Sequence, residues 1–143
     1  MNTAQAADLP AIRTLLAASG LPGADLTPTH LGAFWLQRDA AGLVGVVGLE
    51  PHGNAALVRS LAVRADERGR GLGGVLLAHA ESRAGALGIE ALYLLTTTAE
   101  RFFAARGYTV IPREAAPLDI RATTEFAELC PASSVCMTKR VRL

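Results

Sequence analysis

The run Arg68-Gly69-Arg70-Gly71-Leu72-Gly73 constrains this chain more than any other stretch. Before it lies the aliphatic, β-branched segment Ala56-Leu57-Val58-Arg59-Ser60-Leu61-Ala62-Val63. After it, Leu72, Val75, Leu76, Ala80, Ala84 and Leu87 recur at the spacing of a helix with one buried face. A strand, a glycine-rich turn and a helix start together make an anion site. The glycines let backbone N–H groups approach a ligand, and the helix N-terminus adds unpaired donors and positive partial charge. Arg68 and Arg70 supply full charges with bidentate geometry for phosphate oxygens. The expected ligand carries phosphates.

Two common phosphate loops do not fit. A kinase-type P-loop ends in Gly-Lys-Ser/Thr, and no lysine follows these glycines. A dinucleotide site needs Gly-x-Gly-x-x-Gly after a first strand. Here the last spacing is absent, although Glu90 lies near the distance of the acidic partner.

At 143 residues the chain is read as one domain, 1–143, able to bury a core without staples. A formal net charge of +1 leaves no nucleic-acid footprint. The start Met1-Asn2-Thr3-Ala4-Gln5 shows neither a basic region nor an apolar run, and no apolar stretch has the length of a membrane span. A cytoplasmic protein is expected. Cys130 and Cys136 are too few for a disulfide scaffold. Two thiolates suit a trivalent arsenical or another thiophilic metal, but no third cysteine or nearby histidine completes a site, so no metal is expected.

The order of elements predicts one mixed domain. Asp8 caps a helix with Pro10 in its first turn, running to about Ser19 over Leu9, Ile12, Leu15 and Leu16. Residues 20–28 read as loop, with a helical turn to follow. Strands are expected at Phe34-Trp35-Leu36, Leu43 to Leu49, Ala55 to Val63, Ala91 to Leu95, Tyr108 to Ile111 and Val135 to Val141. Helices are expected from the glycine-rich loop to Gly88, from Ala99 to Arg106, and from Pro117 to Leu129.

The loop resembles the Arg/Gln-x-x-Gly-x-Gly/Ala signature of the GNAT acyltransferases. Ser60-Leu61-Ala62-Val63 before it and Phe102-Phe103-Ala104-Ala105-Arg106-Gly107-Tyr108 after it support the resemblance. It implies an α+β, three-layer fold: a mixed sheet of six to seven strands with helices on both faces. That family usually begins with a strand, and only about five residues precede Ala6, so the first strand is expected to be short or missing. The implied cofactor is acetyl-CoA as co-substrate, its pyrophosphate on Arg68, Gly69, Arg70, Gly71, Leu72 and Gly73. Backbone groups of Leu61, Ala62 and Val63 would hold the pantetheine and thioester, with Phe102 as a further cofactor contact.

The second half carries narrower resemblances. Leu94-Leu95-Thr96-Thr97, Phe102-Phe103, Arg106-Gly107-Tyr108 and Val135-Cys136-Met137 look like the acetyltransferase domain of N-acetylglutamate synthases. Leu92 to Thr98, Ile120-Arg121-Ala122-Thr123 and Cys130-Pro131-Ala132-Ser133 look like small N-acetyltransferases encoded with arsenic-resistance genes. Together they imply acetyl transfer to the amine of a small acidic amino acid or analogue. The expected partner is that small-molecule acceptor, with no nucleic acid or membrane and with a homodimer left open.

Many GNAT enzymes place a tyrosine where this chain has Phe103, which cannot protonate the leaving thiolate; Thr97 or water is left to do so. Glu50 is the candidate base for the amine, against the plainer reading of a solvated turn carboxylate. His30 and His52 sit in turns and either offers a water-mediated relay, while His79 on the long helix reads as structural. By alternation Arg59 shares a face with Leu57, Leu61 and Val63, so it needs an anion. That anion is Glu50, Asp66 or an acceptor carboxylate, and in the last case Thr96 adds a hydroxyl. The alternative function is a non-catalytic GNAT-fold sensor of acyl-CoA or an arsenical, kept open by Phe103 and by the lack of a clear base.

Overall fold

A computed structural model describes residues 1–141. Seven strands form one mixed sheet: β1 (Asn2–Thr3), β2 (Phe34–Asp39), β3 (Gly42–His52), β4 (Ala55–Val63), β5 (Ala91–Thr96), β6 (Thr109–Ile111) and β7 (Val135–Arg140). Their order is β1-β2-β3-β4-β5-β7-β6. The helices are α1 (Leu9–Ala18), α2 (Leu72–Ala86), α3 (Glu100–Ala104) and α4 (Leu118–Arg121). The short first strand is present, pairing Asn2 with Leu36 and Thr3 with Trp35. The chain forms two compact units, Met1–Glu50 with Val58–Arg83, and Pro51–Leu57 with Ala84–Leu143. The strand β4 contributes to both, so neither unit is a continuous piece of chain.

In the first unit, alternation along β2 and β3 sends side chains to two faces. Phe34, Leu36 and Val46 pack with Leu9, Ile12, Leu15 and Leu16 of α1, and with Leu26 and Leu31. Fully burying each such side chain stabilises the fold by about 1.5–3 kcal/mol. The Phe34 ring lies directly over its cross-strand partner Gly48, where any Cβ would collide with it. The opposite face receives α2. A Cβ at Gly45 would meet Leu76 Cδ1 at 2.7 Å, and the Trp35 and His79 rings meet edge-on at 5.5 Å. Burial, with a smaller contribution from Arg83, pushes the His79 pKa down, in keeping with its structural reading. Asp8 does not cap α1. Its carboxylate accepts the Gln5 N–H at 2.8 Å, one turn earlier, and pairs with Arg38.

In the second unit Ala55–Leu57 pair in parallel with Ala91–Tyr93, and β7 pairs antiparallel with both β5 and β6. Its core joins Ala55, Leu57, Ala116, Ile120, Phe126 and Cys136. The expected helix from Pro117 to Leu129 is broken. Here α4 spans only Leu118–Arg121, and a π-helical turn covers Glu125–Leu129. Thr123 causes the break: its hydroxyl donates to Ile120 O at 2.8 Å and accepts Phe126 N–H at 3.3 Å. Such local bonds compete with the helical ladder.

Candidate functional site

The glycine-rich loop takes the conformation its sequence demands. Gly69 and Gly71 both lie at φ +82°, and a Cβ at either would meet no atom within 4 Å. Glycine is therefore required by backbone angle, not by crowding, and the space beside it stays open. The Gly71 carbonyl accepts Val75 N–H at 3.2 Å, which starts α2 and leaves the N–H groups of its first turn directed out of the helix end. Arg68 is turned back into the protein. Its Nε donates to Val63 O at 2.9 Å and its Nη2 to Ser19 Oγ at 3.3 Å, bracing the loop against the end of β4. Arg70 is exposed and sits 3.3 Å from Glu67. The loop is anchored further by Arg64, whose Nη2 donates to Asp39 at 2.7 Å and whose Nε donates to Asp66 at 2.6 Å. These bonds to Arg64 hold both carboxyls below their usual range and raise the Arg64 pKa.

Upstream, β4 carries the only non-glycine residue at positive φ among the described residues, Ser60 at φ +60°. A left-handed residue inside a strand costs about 1–2 kcal/mol and interrupts the alternation of side chains. The period-two argument that grouped Arg59 with Leu61 and Val63 therefore does not carry past Ser60. Leu61 and Val63 are half-buried and Ala62 is buried.

Arg59 is fully buried at its side chain. Its Nη1 donates to Asp25 Oδ2 at 2.6 Å and its Nη2 to Asp25 Oδ1 at 2.7 Å, a two-point pair. Nη1 also reaches Glu50 Oε1 at 3.2 Å, and Nε donates to Ser60 Oγ at 3.2 Å. Hydrogen bonding to Arg59 holds the Asp25 carboxyl below the usual carboxylate range. Of the three anions expected for Arg59, Glu50 is engaged, Asp66 belongs to Arg64, and an internal carboxylate, Asp25, occupies the guanidinium fork. The half-buried Glu50 also faces His30 Nε2 at 3.7 Å. Asp25, His30 and Glu50 bring ligand atoms within 4.8 Å of one another. Arg59 already binds both Asp25 oxygens and Glu50 Oε1, so a cation there would compete with a guanidinium.

The remaining candidates belong to the second unit. Thr97 is exposed just beyond the end of β5. Thr96 Oγ1 accepts Ala99 N–H at 3.0 Å and so fixes the entry to α3. Phe102 is half-buried, its ring covered by the Arg106 guanidinium at 3.8 Å and edge-on to Phe103 at 5.1 Å. Phe103 and Tyr108 are both buried and meet edge-on at 5.5 Å. Burial pushes the Cys136 pKa up, which disfavours the thiolate a soft metal needs.

Asp25 is the residue that sequence reasoning missed, because residues 20–28 read as connecting loop. The available signal was Leu26-Thr27-Pro28: a buried leucine pins the loop, and Thr27 opens a helical turn with His30 three residues on.

The fold is shared with several solved structures. N-acetylglutamate synthase from Neisseria gonorrhoeae, complexed with coenzyme A and N-acetyl-glutamate, superposes with a TM-score of 0.84 at 24% identity over 98% of this chain. The chain corresponds to only 34% of that synthase's length. Rv2747 from Mycobacterium tuberculosis, also in complex with CoA, gives 0.77 at 21% identity and covers 97% of both chains. The ribosomal-protein-S18-alanine N-acetyltransferase from Escherichia coli gives 0.68 at 16% identity over 99% of this chain and 93% of its own. A family model described as an acetyltransferase (GNAT) domain matches residues 30–110, from His30 through the glycine-rich loop to β6. With more than half of its length so matched, the chain belongs to the GNAT acetyltransferases, enzymes that use acetyl-CoA as co-substrate.

Proposed function

We propose that this protein transfers the acetyl group of acetyl-CoA to the amine of a small acidic amino acid or a close analogue. The observation that supports the acceptor class is the likeness, over 98% of the chain, to part of a synthase complexed with coenzyme A and N-acetyl-glutamate. A second likeness, covering 97% of both chains, is to a protein also complexed with CoA. The link to arsenic resistance rests on the strings Leu92–Thr98, Ile120–Thr123 and Cys130–Ser133 alone.

In this reading the N–H groups after Gly69 and Gly71 hold the pyrophosphate, with Arg70 exchanging Glu67 for a phosphate oxygen. Backbone groups of Leu61–Val63, beyond the left-handed Ser60, meet the thioester. Glu50 takes one proton from the acceptor ammonium. The freed amine attacks the thioester carbonyl, the C–S bond breaks, and the second proton shed by the acetylated nitrogen passes to the leaving thiolate by way of the Thr97 hydroxyl or water. Arg59 holds Glu50 in place through its 3.2 Å hydrogen bond, and the acceptor's own carboxylates find their partners elsewhere than on Arg59.

Thiol release from acetyl-CoA, measured across acidic and neutral amino acids, phosphorus- and arsenic-acid analogues of glutamate, and polyamines, tests this. Turnover with the acidic group, with acetylated product by mass spectrometry, is expected. A preference for cationic amines overturns the acceptor class, and binding of acetyl-CoA with no turnover on any amine favours the sensor reading.

A further inference from the structure

His30 is the third residue of a short helical turn, Pro28–Ala33, which Thr27 precedes. The Thr27 N–H donates to His30 Nδ1 at 3.1 Å, and Thr27 Oγ1 lies 3.1 Å from the same nitrogen. A backbone N–H can only donate, so Nδ1 supplies the lone pair and the ring proton is assigned to Nε2. That nitrogen is the one facing Glu50 Oε1, 3.7 Å away. In this tautomer Nε2 has no lone pair to take a proton, so His30 acts on Glu50 as a donor and not as a relay.

We propose that His30 is a positioning residue for Glu50, holding one carboxylate oxygen through Nε2–H so that the base has a single orientation. The inference rests on the reading of Glu50 as the base. Two donors then converge on Oε1, Arg59 Nη1 at 3.2 Å and His30 Nε2 at 3.7 Å. The second distance exceeds a hydrogen bond and closes with a sub-ångström shift; contacts of catalytic groups are often long before substrate binds. Half-burial of both side chains excludes enough water for such a contact to matter.

Two isosteres separate this role from a purely structural one. His30→Asn places an amide oxygen near Nδ1 and keeps the Thr27 N–H partner, but does not reach Glu50. His30→Gln places an amide N–H near Nε2 and keeps the donor to Glu50, but loses the Thr27 contact. The expected result is a loss of roughly tenfold to a hundredfold in kcat for His30→Asn, as for small misplacements of catalytic groups, with retention in His30→Gln and unchanged acetyl-CoA KM. A structural role predicts the reverse ranking, and that ranking overturns the proposal, as does full turnover in both variants. In a Glu50→Gln background, His30→Asn should cost nothing further; an equal loss in both backgrounds also overturns it. If Glu50→Gln alone retains full turnover, the base assignment has failed instead, and the positioning role falls with it.

Discussion

Asp25 and Arg59, 34 residues apart in sequence, meet through two hydrogen bonds of 2.6 and 2.7 Å, with the Arg59 side chain fully enclosed. Breaking one partner of such a pair costs about 3–5 kcal/mol, because an uncompensated charge stays buried. Arg59→Met is therefore expected to lower stability by that amount and to lower turnover through Glu50. Its preference between acidic and neutral acceptors should not move. Denaturant unfolding and kcat/KM across the acceptor panel check this, and a selective loss for acidic acceptors alone contradicts it.

The same pair sets an acid limit. Hydrogen bonding to Arg59 lowers the folded-state pKa of Asp25 below its unfolded value. Its contribution is thus complete above the ordinary aspartate range, near about 3.9, and is lost as pH falls through the lower folded value. Asp25→Asn should be clearly less stable than wild type at neutral pH, with the gap narrowing towards pH 3. Urea titrations at the two pH values show it, and a constant gap counts against the assignment.

In the proposed mechanism the thiolate is protonated by way of Thr97 or water. The Phe103 and Tyr108 rings are buried against each other, away from solvent. Tyr108→Phe is expected to change kcat by less than about tenfold, below the usual contribution of a general acid. A loss of a hundredfold or more in a folded Tyr108→Phe protein means that the proton donor is misassigned.

The two thiols should differ in reactivity. Cys136 is buried with its pKa pushed up, whereas Cys130 is half-buried in the turn before β7. Under native conditions iodoacetamide should modify Cys130 well before Cys136, as read by peptide mass spectrometry. Equal rates contradict the burial.

Much of the fold was legible because it is written in short-range signals. Hydrophobic spacing located α1 and α2, and the β-branched and aliphatic runs located β3, β4 and β5. The phosphate loop was legible for the same reason: alternating glycines mark left-handed backbone, and Gly69 and Gly71 adopt it. What failed depends on single side chains bonding to nearby backbone. Thr123 ends α4 early, and Asp8 serves Gln5 instead of α1. The partner of Arg59 was illegible because a 34-residue separation carries no periodicity, and because Ser60 breaks the alternation that placed Arg59 on a face. Composition made a buried cation in need of an anion visible, but only the folded chain identifies Asp25.

In the proposed function, backbone N–H groups of the glycine-rich loop bind acetyl-CoA. Open space surrounds the absent Cβ of Gly71, so a larger residue there intrudes on a ligand rather than on the protein, at a backbone cost of about 1–2 kcal/mol. Calorimetric titration of acetyl-CoA into wild type, Gly71→Ala and Gly71→Val, with thermal melts alongside, is the direct measurement. Binding by wild type, weaker binding by Gly71→Ala, and no measurable heat from a cooperatively folded Gly71→Val are expected. Unchanged affinity in a folded Gly71→Val protein contradicts it.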